Sequence, residues 1–247
     1  GRTNVTATAT NYGHNNTQLL RQFVPPQCSP QRFTLYYSLA NVDLETTYIH
    51  FLRLLAMAMD DAFQKHVNDV LDAAGVVGTI ASGGVKGYER MLTKMTSRAD
   101  HANFPLPRPA HNVDVARCLV VFENASDMQQ ALSALRNVFV GGFRRFKNGM
   151  AWPKSVAAKK HYLRVVLGVG AFSCPSRPTI GRLRADPQVQ LLLQKYLYSG
   201  TVPPAVTPQK WHRQSTQALS WLQELDSSTP IQMLCEIQLL LRPYFRV

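Results

Sequence analysis

The run Cys118-Leu-Val-Val-Phe122 decides the fold, because it is an uninterrupted, uncharged apolar segment with two valines at its centre. Its length and its β-branched content favour a buried β-strand. The segment Ser126-Asp-Met-Gln129 predicts the start of a helix, with serine as the N-cap and glutamine three residues later. A helical stripe of apolar residues supports that helix: Met128, Ala131, Leu132, Leu135 and Phe139.

Further strands follow this helix. Gly141-Gly142 is expected to end the helix, Phe143 to Phe146 to return as a strand, and Tyr162 to Val169 to form a second apolar strand. Gln209 to Asp226 predicts another helix, and Ile231 to Leu241 predicts the last strand. An order of strand, helix, strand, strand is typical of a mixed sheet with helices packed on it. The predicted fold class is therefore α+β, a mixed β-sheet with flanking helices.

A long amphipathic helix is predicted ahead of the sheet, from Asp43 to about Ala74, with Gly75 as its stop. Apolar residues recur there every three or four positions: Leu44, Tyr48, Phe51, Leu55, Met59, Phe63, Val67 and Val70. The acidic residues of the chain are concentrated in the same stretch. We interpret Asp60-Asp61 as a solvated helix face in preference to a metal site.

Residues 1–34 are rich in Asn, Thr, Gln and Pro and almost uncharged, which predicts an extended or disordered arm. The proline-rich segments 173–187 and 199–208 predict connections or short lids. We therefore divide the chain into three parts: an arm (1–34), a long-helix region (35–82) and a sheet domain (83–247).

The composition indicates a globular protein with a polyanionic partner. The chain has 247 residues, 45% of them hydrophobic, which excludes disordered, collagen-like and disulfide-stapled classes. Its 27 Lys and Arg exceed its 15 Asp and Glu by 12, which favours nucleic acid, nucleotide phosphate or an anionic surface as partner. The apolar stretches are far shorter than the roughly 20 residues of a membrane span. The four cysteines form no CxxC pair. We therefore expect a soluble protein with no membrane partner and no zinc ribbon.

The positive charge is concentrated in one segment. Between Met128 and Ala185 there is no acidic residue, and aromatic residues interleave the bases there. Cations beside flat rings are typical of surfaces that neutralise phosphates and stack bases. A generic basic surface is the simpler interpretation of any single lysine, whereas the whole cluster favours anion binding. The prediction assigns RNA binding to eight of the bases: Arg136, Arg144, Lys154, Lys159, Lys160, Arg177, Arg182 and Arg184.

Three segments resemble motifs of the RelA/SpoT synthetase family. Gly84-Val-Lys86-Gly-Tyr-Glu-Arg-Met-Leu-Thr-Lys94-Met95 is similar to its Arg-x-Lys-Ser loop and the following helix that ends in Lys-Met. Val113-Asp114-Val-Ala-Arg117, which leads into the apolar run, resembles its Asp at the start of a strand. Cys235-Glu236-Ile-Gln238-Leu resembles its late Glu-x-Gln strand.

Two basic segments complete the resemblance, which covers about residues 84–242 in the family's order. Arg145-Phe-Lys147-Asn148 and His161-Tyr162-Leu-Arg164 fall where the family has a basic strand and a Gly-Tyr-x-Ser segment.

The resemblance implies a RelA/SpoT-like nucleotidyltransferase fold and pyrophosphoryl transfer from ATP to the 3′-hydroxyl of a guanosine nucleotide. Mg²⁺ bridging the phosphates would be held by Asp114 and Glu236 on neighbouring strands, as catalytic carboxylates. Tyr162 would stack on the acceptor base. Nucleotide or phosphate binding is implied for the remaining matched positions: Lys86, Arg117, Arg145, Lys147 and Arg164.

Each of these assignments has a structural alternative. Asp114 is equally suited to cap or turn the chain before a strand. Glu236 lies in an apolar strand and needs a cation, which is either Mg²⁺ or an arginine such as Arg117 or Arg164. Tyr162 is alternatively a core aromatic.

The family motif is incomplete here. Gly84 stands in place of the loop Arg, Gly87 and Arg90 in place of loop Ser residues, and His161 in place of the Gly before the stacking Tyr. These departures favour a degenerate member, a structural protein bound to RNA and protein subunits in a ribonucleoprotein such as the mitochondrial ribosome. The alternative is a Mg²⁺-dependent nucleotide pyrophosphokinase, or a sensor that binds ATP or GTP. The predicted location is the mitochondrion, and the alternative location is the cytoplasm.

Overall fold

The structure is a computed structural model that describes residues 39–159, 164–199, 202–204 and 206–244. The helices of these residues are α1 (Leu39–Ala73), α2 (Tyr88–Thr96), α3 (Ala125–Leu135), α4 (Lys154–Ala158), α5 (Ile180–Ala185), α6 (Pro187–Ser199) and α7 (Pro208–Glu224). The strands are β1 (Thr79–Val85), β2 (Ala116–Phe122), β3 (Val140–Asn148), β4 (Val166–Phe172) and β5 (Met233–Leu241). In the part of the chain described, no helix is both long and apolar enough to span a membrane.

The strands form one mixed sheet in the order β1-β2-β5-β4-β3. The central strands β2 and β5 are parallel, and every other neighbouring pair is antiparallel. β2 contains the run Cys118–Phe122, so the most apolar segment of the chain lies second from one edge. The predicted α+β class, with a mixed sheet, flanking helices and a long preceding helix, is confirmed.

Side chains alternate between the two faces of a sheet, and α1 covers one face. The ring of Phe63 on α1 lies 5.2 Å from the ring of Phe172 on β4. Cys235 of β5 lies on the same face as Phe172, as the strand register requires. The predicted stripe of α1 is fully buried over six positions: Tyr48, Phe51, Leu55, Met59, Phe63 and Val67. The long helix and the sheet therefore share one hydrophobic core.

Ion pairs fasten peripheral segments to α1. Glu45 is fully buried, and its carboxylate accepts hydrogen bonds from the backbone and the guanidinium of Arg108 at 2.8 and 2.9 Å. Arg177 donates to Asp61 and to Asp186, each at 2.7 Å. Asp61 is 61% exposed, as predicted, and also anchors Arg177. The prediction of a solvated position is wrong for Asp60, which is half-buried and accepts a hydrogen bond from Gln64 Nε2 at 3.0 Å.

Several local predictions differ from the structure. The N-cap of α3 is Asn124, whose side chain accepts a hydrogen bond from the Asp127 amide at 2.8 Å, so Ser126 lies inside the helix. Gly141 and Gly142 do not end this helix. They lie within β3 at φ angles of 75° and 76°, where the pairing with β4 is irregular. Their conformation suits glycine because other residues rarely adopt a positive φ.

Helices α5 and α6 lie in or next to a stretch that was predicted as a connection. Pro187 opens α6, a position at which proline is well tolerated because the first helical residue has no intrahelical partner for its amide. Strand β1 spans Thr79–Val85, across the predicted boundary between residues 82 and 83. Helices α1 and α7 and strand β5 begin and end within a few residues of their predicted limits. The predicted arm of residues 1–34 lies outside the described residues, as does the predicted start of the second apolar strand.

Candidate functional site

Glu236 lies in one of the two parallel strands of the sheet, and Asp114 lies just before the other. Asp114 precedes β2 by two positions, and Glu236 lies in β5 beside Arg117. The row that begins with Arg117 and Glu236 continues across the sheet. Glu236 lies beside Val169 of β4, and Val169 lies beside Arg145 of β3. The row lies on the face of the sheet opposite to α1 and carries bases on either side of one carboxylate.

Two lysines hold the carboxylate of Asp114. Lys86 Nζ donates to its two oxygens at 2.8 and 2.7 Å, and Lys94 Nζ donates at 3.4 and 3.1 Å. Lys86 is only 1% exposed, and burial lowers its pKa to about 8 against the opposing effect of the Asp114 charge. Burial acts to raise the pKa of Asp114, but the charges and hydrogen bonds of Lys86 and Lys94 together outweigh it and hold that pKa below its usual value. Asp114 is therefore ionised and neutralised by lysine.

Glu236 is buried and lacks a comparable cation. Its Oε1 accepts a hydrogen bond from Gln238 Nε2 at 2.6 Å. Burial raises the pKa of Glu236, and the charge of Asp114 adds to the rise, while Gln238 and Arg117 act against it. The nearby Arg117 donates to the Gly83 carbonyl at 3.0 Å. Arg164 lies elsewhere and donates to the carbonyls of Met150 and Trp152. The Glu236 carboxylate therefore has the Gln238 amide as its hydrogen-bond donor and the Asp114 carboxylate as a neighbouring charge. Among the described residues it forms no direct ion pair with Arg117 or Arg164.

These residues do not fit the Mg²⁺ that the resemblance implies. Both oxygens of Asp114 already accept hydrogen bonds from ammonium groups, which occupy the positions that a cation would need. Over the described ranges no group of three or more His, Cys, Asp or Glu side chains converges as a metal site. Mg²⁺ would have to displace both Lys86 and Lys94 from Asp114 before it could bind there.

The edge strand β3 carries a run of basic residues around one exposed aromatic side chain. Arg144 is exposed, Arg145 is half-buried, and the ring of Phe146 between Arg145 and Lys147 is 38% exposed. Lys147 is exposed as well. The chain then turns through a short 3₁₀-helix into α4, where Lys154 begins the helix and Lys159 directly follows it, both exposed. We refer to the exposed bases of this strand edge and of the helix that follows it, together with Phe146, as the β3–α4 surface.

The remaining bases of the segment have different roles. Arg136 and Arg182 are exposed, on either side of the β3–α4 surface in sequence. Arg177 is buried in its ion pairs with α1 and Asp186. Arg184 donates to the Gln223 carbonyl, to the Leu225 carbonyl at 3.0 Å and to Ser227 Oγ at 2.7 Å, and so fastens α5 to the end of α7. Lys160 and Tyr162 lie outside the described residues.

Sequence reasoning assigned no role to Lys94 or Gln238. Lys94 follows the buried Met91 by three positions and precedes the buried Met95 on α2. This spacing turns Lys94 toward the protein and was a usable signal for its contact with Asp114. Gln238 lies two residues after Glu236 in the same strand, so both side chains are on one face.

Comparisons with protein-family models, with curated proteins and with solved structures find no match for this chain.

Proposed function

We propose that this protein is a structural, RNA-binding component of a ribonucleoprotein, and that the β3–α4 surface contacts RNA phosphates. The single observation that carries the proposal is that the edge strand β3 and the helix after it expose Arg144, Lys154 and Lys159 in a segment without any acid. Because no carboxylate of the segment competes for these cations, their field extends into solvent and attracts a polyanion.

The geometry of the strand favours a backbone-following contact. Arg145 and Lys147 are two residues apart and both are in register with β4, so their side chains leave the same face of the edge. Arg145 belongs to the row that contains Glu236, and Arg144 precedes it in the irregular part of β3. Bases spaced along one edge are suited to phosphates that follow the edge.

The binding experiment uses a structured RNA and measures the dissociation constant by fluorescence anisotropy over a series of salt concentrations. The unmodified protein is expected to bind more weakly as salt rises, since each neutralised phosphate releases counterions. Arg144→Ser combined with Lys154→Ser is expected to reduce the slope of log affinity against log salt by about 0.9 per lost contact. Binding that is independent of salt would overturn the proposal.

The matched control is Lys65→Ser. Lys65 is an exposed base of similar charge on the acid-rich helix α1, where it pairs with Asp69 at 2.7 Å. Removing it changes the net charge by one unit at a site away from the β3–α4 surface, and the salt slope is expected to stay that of the unmodified protein. The double variant removes two charges and the control one, so a reduction in the control half as large as in the double variant would indicate an effect of net charge alone.

We also propose that the fold is that of a RelA/SpoT-like nucleotidyltransferase. Support comes from the order of β1, helix α2, Asp114 before β2, and Glu236 on a strand parallel to β2. The same placement supports the second candidate function, a Mg²⁺-dependent nucleotide pyrophosphokinase or a sensor that binds a nucleotide. The engagement of Asp114 by two lysines favours the structural role over this candidate.

The enzyme candidate is tested by incubating the protein with labelled ATP and either GDP or GTP in the presence of Mg²⁺. Transfer that Asp114→Asn abolishes would establish the activity. The structural role predicts no transfer by the unmodified protein. Nucleotide bound without turnover would identify a sensor.

A further inference from the structure

We infer that the β3–α4 surface selects single-stranded RNA, by stacking an unpaired base on the exposed ring of Phe146. This inference rests on the proposed RNA-binding function and adds the form of RNA that the surface prefers.

The ring of Phe146 is held in place by a chain of aromatic contacts that begins in the core. Phe63 of α1 lies 6.3 Å from Phe139, and Phe139 lies 5.6 Å from Phe143. Phe143 stacks on Phe146 with ring centres 5.9 Å apart and an interplanar angle of 29°. The exposed ring is therefore supported by the half-buried ring of Phe143 and, behind it, by the buried rings of Phe139 and Phe63, so it loses little conformational freedom when a base stacks on it.

A glycine of the neighbouring strand permits this arrangement. Phe143 lies directly over Gly168, where a Cβ atom would come within 2.3 Å of the ring. Gly168 is also the register neighbour of Phe146. The rings of Phe143 and Phe146 therefore lie over the same part of β4, and Phe143 is the more buried of the two.

The charges around Phe146 match a single strand. Arg144 and Arg145 precede Phe146 in β3 and Lys147 follows it, so the strand edge that carries the ring also carries the cations that the phosphates of a single strand need. A base in a duplex is already stacked between its neighbours, and its face cannot meet a side chain that stands on a strand edge. Only an unpaired base has a face free for Phe146.

The experiment compares an oligouridylate of about 12 nucleotides, a length within the site sizes of single-strand-binding domains, with a perfect RNA duplex of the same length. Dissociation constants are measured by fluorescence anisotropy at several salt concentrations. The unmodified protein is expected to bind the single strand about tenfold more tightly than the duplex. Phe146→Leu is expected to remove most of this preference, with duplex binding and the salt slope unchanged, since no phosphate contact is lost.

Two further variants make the result specific. Phe146→Tyr keeps a π-face and is expected to retain the preference. Phe104→Leu alters another exposed ring, 45% exposed and placed away from β3, and is expected to bind both RNAs like the unmodified protein. Far-ultraviolet circular dichroism and thermal unfolding confirm that each variant is folded before it is compared.

The possible failures are distinguishable. Equal affinity for single strand and duplex, or a Phe146→Leu variant that keeps the preference, overturns the inference and leaves salt-dependent RNA binding in place. Absence of salt-dependent binding to either RNA overturns the proposed function together with the inference.

Discussion

The buried ion pair between Glu45 and Arg108 shows how strongly burial changes the role of a charge in this chain. Glu45 is fully buried, and the Arg108 side chain is 8% exposed. Two exposed charges, Lys65 and Asp69, form a pair of similar length one turn apart on α1. Removing one member of a buried pair leaves the other without compensation, whereas exposed pairs contribute little.

Arg108→Met is therefore expected to lower the free energy of unfolding by about 3–5 kcal/mol, because it leaves the Glu45 carboxylate buried and uncompensated. Lys65→Met, the control at the exposed pair, is expected to lower it by less than about 1 kcal/mol. Urea denaturation followed by circular dichroism measures both changes. Equal losses in the two variants would contradict the assignment of Glu45 and Arg108 as a buried structural pair.

His50 is a second residue whose burial has a measurable consequence. It is fully buried among Tyr88, Tyr196 and Trp211, and its Nδ1 lies 2.8 Å from the Tyr196 hydroxyl. Burial, with a smaller effect of Arg53, lowers the pKa of His50 from 6.5 to about 3. Between these two pH values the unfolded chain binds a proton that the folded protein does not, so the protein loses stability as the pH falls from 6.5 toward 3.

His50→Gln keeps a hydrogen-bonding group beside Tyr196 and removes the titration. The slope of unfolding free energy against pH between 6 and 4 is expected to fall by about 1.4 kcal/mol per pH unit relative to the unmodified protein. His101 is buried too, and burial lowers its pKa to about 4, so part of the acid sensitivity remains in the variant. Urea titrations at a series of pH values measure the slope. The control His212→Gln, at an exposed position, is expected to keep the full acid sensitivity.

At the scale of elements, the contact between β3 and β4 depends on side chains that fit over glycines. Phe139 lies over Gly170, where a Cβ atom would come within 2.3 Å of Phe139 Cγ and 2.6 Å of its Cβ. These atoms are at the base of the ring, so a rotation of the side chain cannot relieve the clash. The contact between Phe139 and Gly170 holds the start of β3 against β4. It also positions Phe139 within the series of ring contacts that ends at Phe146.

Gly170→Ala is accordingly expected to destabilise the protein by about 3 kcal/mol through overpacking. Gly87→Ala is the matched control, because no atom lies within 4 Å of its added Cβ, and it is expected to cost less than about 1 kcal/mol. Chemical denaturation provides the comparison. A Gly170→Ala variant as stable as the control would show that β3 does not depend on this contact.

Elements with a strong internal pattern could be predicted from the sequence. The apolar stripe of α1 has a helical spacing, and β2 and β5 are nearly continuous apolar runs. All three elements lie close to their predicted positions. Elements that owe their form to neighbours were missed. Strand β1 contains Gly83 and Gly84 and pairs with β2 around an irregularity, so no pattern of alternation identifies it. Helix α6 begins at a proline that also signals a turn.

The candidate site, too, was predictable from the sequence only in part. The sequence placed Asp114 and Glu236 near the centre of the sheet, but it could not show that Lys86 and Lys94 neutralise Asp114. Those contacts bring residues 28 and 20 positions apart together through the packing of α2 beside the sheet. The spacing of Lys94 beside Met91 and Met95 turns it toward the protein, but the identity of its partner depends on tertiary structure.

In the molecule as a whole, the bases that give the chain its excess of 12 positive charges divide into paired and exposed groups. Acidic residues of α1 form ion pairs with bases of segments packed against the helix. Asp61 pairs with Arg177, and Asp43 pairs with Arg213 of α7 at 2.7 Å. Arg184 is engaged by backbone carbonyls near the end of α7. The β3–α4 surface lies in the acid-free segment, and within the described part of the chain Arg144, Lys154 and Lys159 form no ion pair, so their charges supply positive potential at the surface.

The long helix belongs to the same folding unit as the sheet, which gives the last prediction. Helix α1 supplies fully buried core side chains such as Phe63, and Gln64 donates to the Arg117 carbonyl of β2 at 2.8 Å. A fragment of residues 83–247 lacks α1 and more than half of β1, so the apolar face of β2, β4 and β5 would be exposed to water. We expect this fragment to show no cooperative unfolding transition and to bind a hydrophobic dye, whereas the whole chain unfolds cooperatively. Urea denaturation and dye fluorescence of the two proteins provide the measurement. A fragment that unfolds cooperatively would establish 83–247 as an independent domain, with α1 as an accessory to it.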